Sequence, residues 1–201
     1  MTQKQKTHHL AVAALLAAVA AVLQFVEFSI PIMPAFVKLD VSDLPALLGT
    51  FSLGPVYGVA IQLVKNLLHL PFGSSACVGE LSNFLLGATF AFIAGIVYKK
   101  HKNRSGALWG SVAGAAAMAL ISLPLNYFIV YPAYVVLYGL PLEGIVGMYE
   151  AILGTVAHVP TGNALFNCLL VFNVPFTLCK GLLDVALCFL IYKPLSPLLH
   201  K

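Results

Sequence analysis

The sequence predicts an all-α membrane protein, a bundle of six transmembrane helices with both termini on the cytoplasmic side. Three observations lead there. Of 201 residues, 60% are hydrophobic and 9% are charged, against roughly 25% charged in soluble domains, and the mean hydropathy is +0.94. The apolar residues form long continuous runs rich in Ala, Leu and Gly, not the apolar/polar alternation of a barrel strand. Lys and Arg collect in short clusters between those runs, as membrane topology favours. A helix satisfies its backbone groups internally where no water is present, so residues 1–201 read as one integral-membrane domain.

Helix one is expected over about 9–28, where Lys4 and Lys6 precede "LAVAALLAAVAAVLQFV". A secretory signal would open in the same way. Here the apolar run of about 17 residues exceeds a usual signal core, and "EFSIPIMPAF" follows in place of a polar mature start, so a retained helix is expected. Pro31 and Pro34 end it, leaving 29–42 as an outer loop. Ser42 or Asp43 can cap the next helix, with Pro45 in its first turn. Gly54-Pro55 then divides the run, because proline removes a donor and disfavours helical geometry in the residue before it. That gives helices over about 43–53 and 55–70, each short for a crossing. "LPFGSSACVG" is a loop, helix four covers about 79–98, "KKHKNR" is a basic turn and helix five covers about 106–131, with continuation past Pro132 left open. Residues 139–171 are too interrupted for a clean span and read as a short helix, a loop and the approach to helix six, about 173–193.

Charge sorting supports the division at Gly54-Pro55. With it, one side receives Lys4, Lys6, Lys99, Lys100, Lys102, Arg104, Lys193 and Lys201, eight of the 11 basic residues. The other side receives Glu27, Asp40, Asp43, Glu80, Glu143 and Glu150. A single helix over 43–70 would move the "KKHKNR" turn across and undo that segregation.

Ionisable groups inside apolar runs mark functional sites by default. They are Lys65, Glu80, Lys180 and Asp184. In the six-helix arrangement Lys65, Glu80, Lys180 and Asn126 tend to one outer level, beside the charged loop carrying Lys38, Asp40 and Asp43. Each has a plainer reading. Lys180 and Asp184, four apart, can pair with one another. Lys65 can snorkel to the surface, and Glu80 can be a charge favoured by its helix dipole. Asp40 and Asp43 can be a solvated loop residue and a cap, and Asn126 can bond a neighbouring helix. On helix one, Ala13, Ala17 and Ala21, and beside them Ala14 and Ala18, form small-residue rows that let another helix approach closely. Such rows serve either a partner or the protein's own bundle.

Several function classes fall away. The net charge is +4, but no basic patch lies outside the membrane-flanking clusters, so no nucleic-acid partner is expected. Cys77, Cys168, Cys179 and Cys188 have no zinc spacing and the histidines are scattered, so no metal is expected. No GxSxG, HExxH or phosphate-binding glycine loop occurs. The chain reads as a non-enzyme that cannot itself hydrolyse ATP.

The blocks "KLDVSDLPALLGTFSLGPVYGVAIQLVKNLLH", "GELSNFLLGATFAFIAGIVYKKHK", "PLNYF" and "NVPFTLCKGLL" resemble the riboflavin-binding S component of energy-coupling factor (ECF) transporters. The resemblance runs over nearly the whole chain. It implies the six-helix S-component fold, a vitamin site open to the outside and closed by the 29–42 loop, and residence in the bacterial plasma membrane. It implies partnership with a transmembrane T subunit and two ATPases, with the alanine rows of helix one as the docking surface. The motif positions are Asn126 in "LNYF", Lys180 in "LCKG" and Glu80 in "GELSNF". Some relatives place Asn three residues before the lysine, and here that position is Thr177.

The chemistry of these residues suits riboflavin as transported ligand, with no cofactor. Asn126 offers one donor and one acceptor to a uracil-like edge, and Lys180 can donate to a ring carbonyl. Asp40 or Glu80 can accept from ribityl hydroxyls. Phe36, Leu39, Tyr127 and Tyr131 can cover the ring faces. No outward arginine cluster awaits the phosphate of FMN. The rival readings are an S component for another vitamin, such as thiamine or biotin, a membrane enzyme using Glu80 and Asp40, and a purely structural subunit.

Overall fold

The computed structural model describes residues 2–73, 75, 77–139, 141–153 and 163–199. Helix α1 spans Gln3–Gln24 and is closed at its start by a capping box between Thr2 and Gln5. It begins earlier and ends earlier than the apolar run suggests, because the polar segment before His9 continues the same helix. The loop that follows doubles back on itself: strand β1 (Phe28–Ser29) pairs antiparallel with β2 (Lys38–Leu39), Phe28 opposite Leu39 and Ser29 opposite Lys38.

Helix α2 covers Asp43–Leu53 and α3 covers Pro55–His69. Gly54 between them has φ +113° and ψ 167°, a conformation essentially reserved for glycine, and Pro55 opens α3 where its missing N–H costs nothing. At 11 and 15 residues both fall short of the roughly 20 a crossing needs. Ser42 takes the N-cap position of α2 without a side-chain cap bond, since its hydroxyl is used elsewhere. Helix α4 runs Val78–Lys100. Helix α5 runs Arg104–Leu125, with the Asn103 side chain accepting from the Gly106 N–H.

The last two long helices are interrupted by π-helical turns. Residues Asn126–Val130 form one and lead into α6, Tyr131–Tyr138. Helix α7 spans Leu142–Leu153. Helix α8 (Ala164–Cys168) passes through a second π-helical turn, Leu169–Asn173, into α9, Val174–Leu199. Both turns have the same cause. Pro132 and Pro175 each follow two residues later. A proline crowds the carbonyl four residues before it, here Phe128 and Val171, and both lie within the π turns. The wider turn relieves that clash. Helix five therefore does not stop near 131, and the last helix starts well before 173. The part of the 139–171 stretch between 154 and 162 lies outside the described residues, as do the Lys193 side chain and Lys201.

Among the described residues, four helical stretches are long and apolar enough to cross a membrane: Gln3–Gln24, Val78–Lys100, Arg104–Leu137 and Ala164–Ile191. The chain is an all-helical, multi-pass membrane protein in which α2 and α3 are shorter inserts. Helices α4 and α5 pack closely, and a Cβ on Gly114 would come within 2.6 Å of the Phe90 carbonyl oxygen.

Among the described residues, three apolar clusters hold the bundle. Leu44, Leu47, Phe51, Phe90, Met118, Val185 and Cys188 join α2, α4, α5 and α9. Val130, Tyr131, Tyr134, Ile145, Tyr149 and Phe172 join the helices around the π turns. Ala13, Ala17 and Ala20 seat α1 against Ala46 and Ile61. Ala13, Ala17 and Ala21 are buried, which removes them from the expected docking surface: their small side chains let α1 approach its own bundle. Ala14 and Ala18 remain exposed.

Candidate ligand-binding site

A cavity of about 390 Å³ lies among the 25–42 loop and helices α3, α4, α5, α6 and α9, within the roughly 300–1,000 Å³ usual for small-molecule sites. The loop contributes Phe36, Lys38 and Asp40. Helix α3 contributes His69, and α4 contributes Glu80, Asn83 and Leu86. Asn126, Val130, Tyr131 and Tyr134 come from the first π turn and α6, and Asn173, Phe176, Thr177 and Lys180 from the second π turn and α9.

Asp40, Asp43 and Lys180 form its polar base, with Lys65 paired behind Asp43. Lys180 donates to Asp40 at 2.9 Å and lies 3.7 Å from Asp43. Lys65 donates to Asp43 at 2.5 Å and to the Ser42 hydroxyl at 2.6 Å. Gln62 also donates to Asp43, at 2.9 Å, and Asp40 accepts from both the backbone N–H and the hydroxyl of Ser42. Burial opposes ionisation of Asp40, but the ammonium groups of Lys180 and Lys65 and the Ser42 hydroxyl outweigh it, holding the carboxyl below the usual carboxylate range. The charged loop noticed in the sequence is thus pinned into the bundle through 140 residues of sequence separation.

This geometry excludes three of the plainer readings. Lys65 does not snorkel: its side chain is 0% exposed and paired with Asp43. Asp40 and Asp43 are neither a solvated loop residue nor a free cap, at 3% and 1% exposure. Lys180 does not pair with Asp184 but turns to the loop. Asp184 is fully buried, and among the described residues neither of its carboxylate oxygens has a hydrogen-bond partner.

A second polar cluster edges the cavity. Glu80 meets His69 Nδ1 at 3.0 Å and accepts from the Ser75 hydroxyl at 3.0 Å. Lys38 and Glu27 pair beside it on the hairpin. Phe36, Tyr131 and Tyr134 supply an aromatic wall, with the Phe36 ring 5.4 Å from Tyr134 and 6.2 Å from Tyr131.

Of the residues expected at the site, Asn126, Lys180, Glu80, Asp40, Thr177, Phe36 and Tyr131 line the cavity. Leu39 and Tyr127 do not. The pairing of β2 carries Leu39 opposite Phe28. Tyr127 faces the other way, its hydroxyl accepting from Asn163 at 2.6 Å and its ring packing on Phe128 and Phe166. Sequence reasoning missed His69, Ser75 and Asn173. Asn173 carried a signal, a carboxamide within the apolar run "LLVFNVPF". Among the described residues, no group of three or more His, Cys, Asp or Glu is placed to hold a metal ion.

Comparison with known proteins decides the family. The model for "ECF transporter, substrate-specific component" matches residues 8–192. The chain belongs to this family. It is therefore a transporter component and not an enzyme. It is 32% identical over 197 residues to the riboflavin transporter RibU of Staphylococcus aureus, covering 98% of this chain and 95% of that one. It is 28% identical over 201 residues to the riboflavin transporter FmnP of Bacillus subtilis, covering 98% and 96%. A solved S component of a bacterial ECF transporter superposes with a TM-score of 0.73 at 31% identity, over 98% of this chain and 99% of that one.

Proposed function

We propose that this S component captures riboflavin outside the bacterial plasma membrane and delivers it inward as the substrate-binding subunit of an ATP-driven ECF transporter. The observation that carries the reading is the meeting of Asn126, Lys180 and an aromatic wall in one cavity, in a chain similar along its length to riboflavin transporters. Asn126 suits the uracil-like edge of the flavin, and Lys180 has donors left for a ring carbonyl after binding Asp40. Glu80 and Asp40 accept from the ribityl chain, and Phe36 and Tyr131 cover the ring. The 25–42 hairpin serves as the outer lid. Both termini lie in the cytoplasm, α2 and α3 together serve as two of six membrane-inserted helices, and the exposed Ala14–Ala18 side of α1 docks on the T subunit that links to two ATPases.

Titrating riboflavin into the detergent-purified full chain tests this through flavin fluorescence. Saturable one-to-one quenching is expected. Asn126→Ala and Lys180→Ala should each weaken it about ten- to a hundredfold, the scale of losing a hydrogen bond that involves a charged or paired polar group. Binding of thiamine or biotin with no response to riboflavin would overturn the reading.

A further inference from the structure

The polar side chains around the cavity divide into two kinds. The carboxylates are already engaged. Asp40 accepts from Ser42 and Lys180, Asp43 accepts from Gln62 and Lys65, and Glu80 accepts from Ser75 and meets His69. Asn173 is engaged at both ends of its amide, accepting from Tyr149 and donating to Tyr131. These groups frame the site. Among the described residues, Ser82, Asn83, Asn126 and Thr177 also line the cavity and make no side-chain hydrogen bond. None of their polar atoms is sealed inside the protein. They are free to read what enters.

Asn126 is given to the ring edge above, while Asn83 has no role so far. Its placement comes from α4. Glu80, Asn83 and Leu86 are each three residues apart, which stacks them along one face of the helix, and all three line the cavity. Asn83 is half-buried there, one turn beyond the pinned carboxylate of Glu80. Its carboxamide carries both donors and an acceptor, whereas Ser82 and Thr177 have a single hydroxyl each.

We propose that Asn83 is a further specificity-determining residue of the site and that it reads the ribityl chain, its oxygen accepting from one hydroxyl and its nitrogen donating to the next. The proposal rests on the riboflavin reading above. Neighbouring hydroxyls of a polyol suit an amide because each can donate or accept, while a carboxylate can only accept. A carboxylate and an amide in succession along one helix face therefore match a polyol chain. A ligand with the ring but no polyol leaves the amide unmatched in a partly desolvated wall.

The experiment measures riboflavin and lumiflavin, which keeps the ring and lacks the ribityl chain, against the full chain and its Asn83→Ala variant. Riboflavin is titrated directly and lumiflavin is read by competition with it. Riboflavin should weaken about tenfold, the scale of two neutral hydrogen bonds, and lumiflavin should stay within about twofold. Asn83→Ser restores one hydroxyl and should recover part of the loss. Ligand-free melting separates reading from a structural role. Asn83 bonds nothing within the protein, so Asn83→Ala should hold Tm within about 2 °C of wild type or raise it. Riboflavin binding within about twofold of wild type, an equal loss for both flavins, or a larger fall in ligand-free Tm overturns the inference while leaving the riboflavin reading intact. Absence of riboflavin binding by the wild-type chain would sink both.

Discussion

Replacing Lys65 by methionine isolates what the buried pair with Asp43 does for this bundle. The two side chains have nearly the same length, so packing is kept and the charge removed. Lys65 is 0% exposed and Asp43 1%, so no solvent replaces the lost ammonium. Breaking one side of a buried pair costs about 3–5 kcal/mol. Asp43 keeps the Gln62 amide at 2.9 Å and Lys180 at 3.7 Å, which places the loss at the lower end, about 3 kcal/mol. For a chain of this size each kcal/mol moves Tm by about 2–4 °C, so a fall of about 6–12 °C is expected. Thermal melting of the purified protein, followed by monodisperse size-exclusion fluorescence, measures it. The double variant Lys65→Met with Asp43→Asn should recover most of the loss, because the orphaned charge is gone. A single variant melting within 2 °C of wild type would refute the reasoning, and so would a double variant no better than the single.

Four further outcomes follow from the geometry. Asp40 has its carboxyl held below the ordinary range, so its stabilising contribution is complete above about pH 4 and is lost as pH falls through the lowered value. The fall in melting temperature caused by Asp40→Asn should accordingly be full at pH 7, begin to shrink below about pH 4 and vanish only below the lowered value. Gly54→Ala meets no atom within 4 Å but must adopt φ +113°, at about 1–3 kcal/mol, so Tm should drop with flavin binding retained at low temperature. Ala17→Leu, at a position 2% exposed, overpacks the α1 seam at about 1–3 kcal/mol. Ala14→Leu, on the exposed side, should melt and bind flavin as wild type yet fail to pull down the T subunit.

Much of the fold was legible because the membrane restricts the options. The Gly54-Pro55 break was visible from proline chemistry and from charge placement together, and α2 and α3 do meet there. The helix ends were less legible. The polar start of α1 gives no apolar signal, and the run after Leu125 gives no warning that a π turn will absorb Pro132. Two prolines each following an apolar run were the available hint, but relief of the clash is settled only by the surrounding packing. At the site, Asn126, Glu80 and Lys180 stood out because polar groups are costly within apolar runs. What the sequence left open was their pairing. Lys180 has Asp184 four residues away, yet its partner is Asp40, because the hairpin folds inward to a depth that no local pattern encodes. Tyr127 and Tyr131 are four apart, and the intervening π turn sends one to the cavity and the other toward α8.

Beyond the cavity, each contributing helix continues toward its "KKHKNR" end as tightly interlocked side chains: Leu47 and Phe51 past Asp43, Phe90 past Leu86, Ala115 past Met118, Val185 and Cys188 past Lys180. No gate can be cut through that plug by turning one rotamer, since its cohesion is the sum of many small dispersion contacts shared among four helices. Among the described residues, these side chains stand between the cavity and the basic end of the bundle. Unloading on the far side would therefore move whole helices, or the loaded protein bodily, and not a single side chain.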